Sequence, residues 1–175
     1  MILETLRIHT VWLGNATYGV DAQLALLDSA GLLDSDDVPP DVKFIGNAID
    51  DEVVAQWKEP VNRPAIYLSL DLPADFAQSD QRPGQIRGVV PVGIRYLTAH
   101  ADYRKAKKDT AHTMRAIRRS LSVLYQNAQE ASRTRNGVYV EGYERIMFGE
   151  LEETVGNCQV LGGMVVRAQA VDTKP

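Results

Sequence analysis

Residues 102–128 read DYRKAKKDTAHTMRAIRRSLSVLYQNA, an unbroken run without glycine or proline. With Tyr103 at zero and 100° per residue, Ala106, Thr110, Met114, Ile117, Leu121 and Leu124 fall in a stripe about 80° wide. The spacing predicts one long amphipathic helix whose apolar stripe packs on a sheet. Seven basic residues (Arg104, Lys105, Lys107, Lys108, Arg115, Arg118, Arg119) stand against two acids, Asp102 and Asp109. That local charge of +5 sits in a chain of −4, which leaves −9 for the remainder. The basic groups occupy roughly the 40–200° sector, so one side of the helix meets the sheet and the other is free to bind.

Strand patterns flank this helix. On its N-terminal side, Ile86 to Thr98 alternates with period two, so it reads as a long strand. Pro91 cannot donate to a ladder, which places the strand at an edge there or gives it a bulge. Ala65 to Leu70 reads as a shorter strand, and Asp71 to Gly84 as a long exposed loop. On the C-terminal side, Asn136-Gly137 is a strong turn dipeptide. Val138 to Phe148 and Gln159 to Asp172 follow as strands joined by the polar hairpin Gly149 to Asn157. Val160, Met164, Val166, Ala168 and Ala170 are expected to face inward, and Gly162-Gly163 to form a bulge or a close approach.

Toward the N-terminus, Ile2 to Leu13 is expected to be a helix with Leu3, Leu6 and Leu13 on one face. Val20 to Ala30 repeats the pattern with Leu24 and Leu27 and stops at Gly31. Val42 to Ile45 reads as a possible short strand and Asp50 to Trp57 as a helical turn. The fold class is α+β: an antiparallel β-sheet with an N-terminal helix, one long amphipathic helix packed on it, and a C-terminal β-hairpin. The expected organisation is a single domain over 1–175. It comprises an N-terminal helical segment (1–31), an acidic, loop-rich insertion (32–62), and the sheet with its long helix (63–175).

Composition narrows the function classes. Apolar content of 45% and charged content of 24% are ordinary for a globular protein. A net charge of −4 argues against a general nucleic-acid binder, because neutralising phosphates needs a basic excess that only the helix offers. The single cysteine, Cys158, excludes an internal disulfide and a cysteine-based zinc site, and is expected to be an inert thiol. The N-terminus MILETLRIHTVW carries charges inside its apolar stretch, unlike a signal peptide. No apolar run is long enough to span a bilayer, so the expectation is a soluble protein made in a cytoplasm.

No catalytic, cofactor or metal pattern emerges. His9, His100 and His112 share no ligand spacing and are expected to be structural, capping or solvated. The carboxylate runs Asp50-Asp51-Glu52 and Glu150-Glu152-Glu153 read as solvated faces rather than a glycosidase-type pair. Gly162-Gly163 lacks the Lys-Ser/Thr of a phosphate loop, and Gly84 to Gly88 lacks the helix of a dinucleotide fingerprint. Trp12 and Trp57 read as core or interface anchors. The expectation is a protein that is not an enzyme. Its candidate surface is Arg104, Lys107, Lys108, Arg115, Arg118 and Arg119.

The order of elements carries a resemblance. Arg63-Pro64-Ala65-Ile66-Tyr67-Leu68 enters a first strand, a long loop follows, and Arg87 to Leu97 feeds the helix from Asp102. Gly137-Val138-Tyr139-Val140-Glu141-Gly142 then opens a final hairpin whose last strand is Cys158 to Val171. This resembles the tail-terminator (tail-completion, head–tail joining) proteins of tailed bacteriophages over roughly residues 60–172, with the first helix more loosely. The chain differs from that pattern by its acidic stretch Leu32 to Glu59 and its 71–84 loop. The resemblance implies a structural virion protein: a homohexameric ring that caps the tail tube, halts its polymerisation and joins it to the neck connector. DNA would only pass through the lumen, and no membrane is involved. A related neck or tail-completion ring component is the neighbouring reading.

The basic helix itself leaves two partners open. One is an acidic protein surface, including another copy of the chain, since residues 1–60 carry eleven acids and three bases. A head-to-tail ring places unlike patches together. The other is nucleic acid bound through residues 102–128, which the acidic remainder and the lack of interleaved aromatics disfavour.

Overall fold

The computed structural model describes residues 1–33, 38–49, 59–70, 75–78, 85–98, 100, 102–126, 134–149, 153–155, 158–160 and 162–173. In chain order the elements are α1 (Ile2–Leu13), α2 (Val20–Ser29), β1 (Phe44–Asn47), a 3-10 turn (Pro60–Asn62), β2 (Ala65–Leu70), β3 (Asp75–Gln78) and β4 (Ile86–Leu97). They continue as α3 (Tyr103–Gln126), β5 (Thr134–Arg135), β6 (Val138–Gly149), β7 (Glu153–Val155), β8 (Cys158–Val160) and β9 (Gly162–Asp172). One seven-stranded sheet runs in the order β1-β2-β4-β9-β6-β5, with β3 also paired to β4, and β7 and β8 form a separate ribbon. The fold is α+β, as the residue pattern implied.

Two departures from the expected layout lie in the sheet. β1 pairs parallel with β2, so the sheet is antiparallel only in its other pairings. Segment 32–62 is therefore not wholly an insertion, because four of its residues form the sheet's edge. The 71–84 loop likewise contains β3, antiparallel to Ile86–Val89. Residues 50–58, with Trp57 and the Asp50-Asp51-Glu52 run, lie outside the described residues.

β4 explains Pro91. Its pairing with β2 ends at Val92 and its pairing with β3 begins at Val89, so the gap between the two partners falls at Val90-Pro91. Among the described residues nothing pairs with β4 there on that side, where a residue without an N–H is tolerated. On its other side β4 runs against β9 without a register break, Gly162 opposite Tyr96 and Gly163 opposite Arg95. That register carries no bulge at Gly162-Gly163, one of the two readings of the pair.

Bulges occur in β6 instead. Its register with β9 shifts between Val140 and Gly142 and again between Tyr143 and Arg145, so Glu141 and Glu144 are the residues in excess. Each extra residue inverts the side-chain alternation. Between the bulges Tyr143 comes opposite Ala168, on the face shared with Val138 and Val140. Glu141 reaches Arg87 at 3.1 Å, and Glu144 reaches Arg167 at 3.3 Å. Asn136 (φ 50) and Gly137 (φ 83) form the two-residue turn between β5 and β6, the left-handed pair that matches strand twist.

The helices cover one face of the sheet. Ile66, Leu68, Val90, Val92, Ile94, Tyr96, Met164, Val166, Ala168 and Ala170 are buried there with Leu6, Ile8, Leu13, Leu24, Leu27, Ile117 and Leu121. Met164, Val166, Ala168 and Ala170 thus face inward as their alternation predicted, while the side chains of Val160 and Cys158 lie outside the described residues. Leu3 is 51% exposed, so the buried face of α1 is the wider set Thr5, Leu6, Ile8, His9, Trp12 and Leu13. α2 ends as expected: Gly31 takes φ 65, its N–H bonds the Asp28 carbonyl, and the Leu32 N–H bonds the Leu27 carbonyl. That double bond pattern closes a helix through a left-handed residue.

Candidate interaction surface

α3 begins where Asp102 accepts the Lys105 N–H on its side chain at 2.9 Å, satisfying one of the helix's orphan donors. Its interior holds Ala, Arg, Lys, Leu and Met, strong helix formers with no breaker. The stripe from Ala106 to Leu124 is buried as its period predicted. A second buried row runs beside it: Asp109, Thr113, Ala116 and Ser120, at intervals of four, three and four residues. The first row joins the core built on the sheet. The second row has mixed neighbours: Thr113 hydrogen-bonds with Tyr96 of β4, Asp109 meets His100, and the Trp12 indole N–H of α1 donates to the Ser120 carbonyl at 2.8 Å, while α2 packs along α3.

The remaining arc is solvent-facing and cationic. Arg104, Lys105, Lys107, Lys108, Arg115, Arg118 and Arg119 are all exposed. Four arginines elsewhere are ion-paired within the chain: Arg7 and Arg135 share Glu4, Arg87 meets Glu141, and Arg167 meets Glu144. On α3, Arg104, Lys105, Lys107, Arg115 and Arg119 make no ion pair among the described residues. Like charges three and four positions apart on a helix repel by a few tenths of a kcal/mol per pair. An incoming anionic surface would relieve that cost.

The six sequence-predicted residues divide into two groups. Arg115, Arg118 and Arg119 line one open groove with Gln23, Ser122, Val123 and Gln126, a space of about 450 Å³ between α2 and α3. Arg104, Lys107 and Lys108 lie nearer the N-terminus of α3 and do not line it. Gln23 was not predicted. Its residue is only 3% exposed, it lines the groove, and its side-chain amide makes no hydrogen bond among the described residues. The signal was available: Gln23 is the one polar side chain on the α2 arc that carries Val20, Leu24 and Leu27 inward.

The histidines have separate surroundings. His9 is fully buried, with Nδ1 2.7 Å from the Thr5 carbonyl and Nε2 3.1 Å from the Tyr143 hydroxyl. His100 places Nε2 3.2 Å from the Asp109 carboxylate, which is fully buried. His112 is half-exposed on α3. Beside Asp109, burial pushes the Tyr96 hydroxyl pKa up, with a hydrogen bond involving Thr113 opposing the shift. Among the described residues no three His, Cys, Asp or Glu side chains converge as a metal-binding group. Among the described residues no helix is long and apolar enough to cross a membrane. Most of the Glu150-Glu152-Glu153 run lies outside the described residues, and the side chain of Glu153 is not described.

No protein-family model matches the chain, and no curated protein matches it.

Proposed function

We propose that the protein is a structural subunit of a homo-oligomeric ring in the tail or neck of a tailed bacteriophage. In this reading it serves as a tail terminator, capping the tail tube and joining it to the connector. The observation that carries the reading is the unequal treatment of cations. Arg7, Arg87, Arg135 and Arg167 on α1 and the sheet are ion-paired within the chain, whereas Arg104, Arg115 and Arg119 on α3 make no ion pair among the described residues. The element order of long strand, amphipathic helix and terminal hairpin supports the resemblance noted above.

Charge balance favours protein over nucleic acid as the partner of α3. The other wall of its groove is α2, which carries Asp21 and Asp28 and no basic residue. A polyanion running along the guanidinium groups would lie in the field of an acidic helix and of a chain with net charge −4, which costs it Coulomb energy. A short acidic surface on a folded partner need not. Ring closure requires two different complementary patches on each subunit, which a chain of segregated charge provides.

Sedimentation of the purified protein, with negative-stain imaging, tests the proposal. Closed rings, formed alone or on phage tail tubes, are the expected result. A protein that stays monomeric at high concentration, both alone and with tubes, overturns it.

A further inference from the structure

The α2–α3 groove has a counterpart on the opposite flank of α2. At 100° per residue, Asp21, Ala25 and Asp28 lie together on one side of that helix, about 150° around its axis from Gln23. Asp41 extends this ridge. The Val42 N–H bonds the Asp21 carboxylate at 2.9 Å, and burial together with the nearby Asp41 charge raises the Asp21 pKa despite that bond. Asp28 and Asp41 are exposed and make no ion pair among the described residues. A basic groove and an acidic ridge therefore occupy different flanks of one helical hairpin.

We propose that the groove formed by Gln23, Arg115, Arg118 and Arg119 receives the acidic ridge Asp21–Asp28–Asp41 of a second copy of this chain. This names both halves of the subunit contact and rests on the ring reading above. Three features of the groove suit carboxylates. Arg115 and Arg119 stand one helical turn apart and present planar forks that match carboxylate geometry. Arg118 adds a third positive charge at the rim. At the wall, the nearly buried Gln23 amide offers donors to an incoming oxygen. Asp21 and Asp28 are seven positions apart, about 10 Å along the helix, so a ridge of this length spans two turns of α3. Because groove and ridge face different ways, each copy uses its groove on one neighbour and its ridge on the other. That is a head-to-tail contact, able to close as a ring.

Charge reversal with rescue tests the pairing. Two double variants are made, R115E/R119E and D28K/D41K. All four positions are exposed, and Asp28 lies near the C-terminus of α2, where a lysine suits the helix dipole. Molecular mass is read by sedimentation at low and high salt. The wild-type assembly is expected to weaken with salt. Each variant alone should sediment as a monomer under conditions where the wild type assembles. An equimolar mixture should reassemble, since one copy then offers an acidic groove and the other a basic ridge. The rescue also shows that both variants are folded. If both variants assemble as the wild type does, the groove–ridge contact is overturned while the ring reading stands. Wild-type protein that never self-associates overturns both. Loss of duplex DNA binding in R115E/R119E with unchanged assembly assigns the groove to nucleic acid and also overturns the contact.

Discussion

The Tyr143 hydroxyl donates to Nε2 of the buried His9, 3.1 Å away, and joins β6 to α1 through the bottom of the core. The direction follows from the other ring nitrogen. Nδ1 lies 2.7 Å from the Thr5 carbonyl, which only accepts, so Nδ1 carries the proton and Nε2 is the acceptor. Both polar sites of the neutral ring are thereby satisfied without water. The two β6 bulges are what turn Tyr143 to this face.

The first prediction follows from that neutral ring. Burial pushes the His9 pKa down from 6.5 to about 4, only partly opposed by the bond to Thr5. In the unfolded chain the ring protonates near its ordinary value, whereas in the folded chain it stays neutral until about pH 4. Stability is therefore full above about pH 6.5 and declines as pH falls from there toward 4, by about 3 kcal/mol in all. Glu4 adds to the loss only at lower pH. Burial raises its pKa, but the bond from Asn136 and the charges of Arg7 and Arg135 bring it below its ordinary 4.5. Urea denaturation at a series of pH values reads the effect. His9→Gln should be less stable at pH 7 and should lack the slope between pH 6.5 and 4. The same slope in the variant would remove His9 as its cause.

The second prediction concerns the tie between α1 and α3. Trp12 is fully buried, donates to the Ser120 carbonyl, and stacks on Tyr18 with ring centroids 5.4 Å apart. Trp12→Ala should cost about 3–5 kcal/mol, because a large cavity opens between the two helices. Trp12→Phe keeps most of the apolar volume and loses one hydrogen bond, so it should cost about 1–3 kcal/mol. Denaturant midpoints at constant slope measure both. An alanine variant within about 1 kcal/mol of wild type would show that the α1–α3 seam contributes little.

Residue pattern shows much of this architecture and stops where packing takes over. The stripe from Ala106 to Leu124 repeats with the helical period and is apolar at most positions, so it is legible. The adjoining row Asp109-Thr113-Ala116-Ser120 is polar or small, and hydropathy hides it. Its partners are Tyr96 for Thr113 and His100 for Asp109, with Trp12 at the Ser120 carbonyl, none of them near in sequence except His100. Asp109 is the plainest case, counted as surface charge by composition yet fully buried against His100. The bulges at Glu141 and Glu144 are similarly silent, since an extra residue looks like a lapse in alternation. The basic surface was legible residue by residue. The groove was not, because its second wall comes from Gln23, some ninety positions earlier in the chain.

The third prediction addresses that buried acid. His100 Nε2 lies 3.2 Å from Asp109 Oδ2, joining the connection after β4 to the first turns of α3. Asp109 is fully buried and His100 only partly, so removing the ring takes a partner from a desolvated carboxylate, which costs more than the pair itself contributes. His100→Ala and Asp109→Ala should each destabilise, and the double variant should be less impaired than the sum of the two. A double-mutant cycle by urea denaturation should give a coupling of about 0.5–3 kcal/mol. Additive effects would mean that the contact carries no energy of its own.

The last prediction separates two glycines that share a helix and differ in their reason for being glycine. Gly31 follows α2 at φ 65 with open space where a Cβ would project. Replacing it with alanine costs torsional strain alone, about 1 kcal/mol. Gly19 precedes α2 with an ordinary φ of −69, and its difficulty is room. A Cβ there would press on the backbone carbonyls of Asn15 and Leu13, atoms that cannot rotate aside. The turn is fixed further by the Asn15 side chain, which accepts the N–H groups of Thr17 and Tyr18, and by the Gly19 N–H bonding the Asn15 carbonyl at 2.7 Å. Gly19→Ala must therefore shift the start of α2, at about 1–3 kcal/mol. α2 carries Gln23 and the acidic ridge, so the shift should also weaken self-association, which Gly31→Ala should leave intact. Thermal unfolding and sedimentation of the two variants decide the matter: equal losses in both would mean that crowding at Gly19 does not set the position of α2.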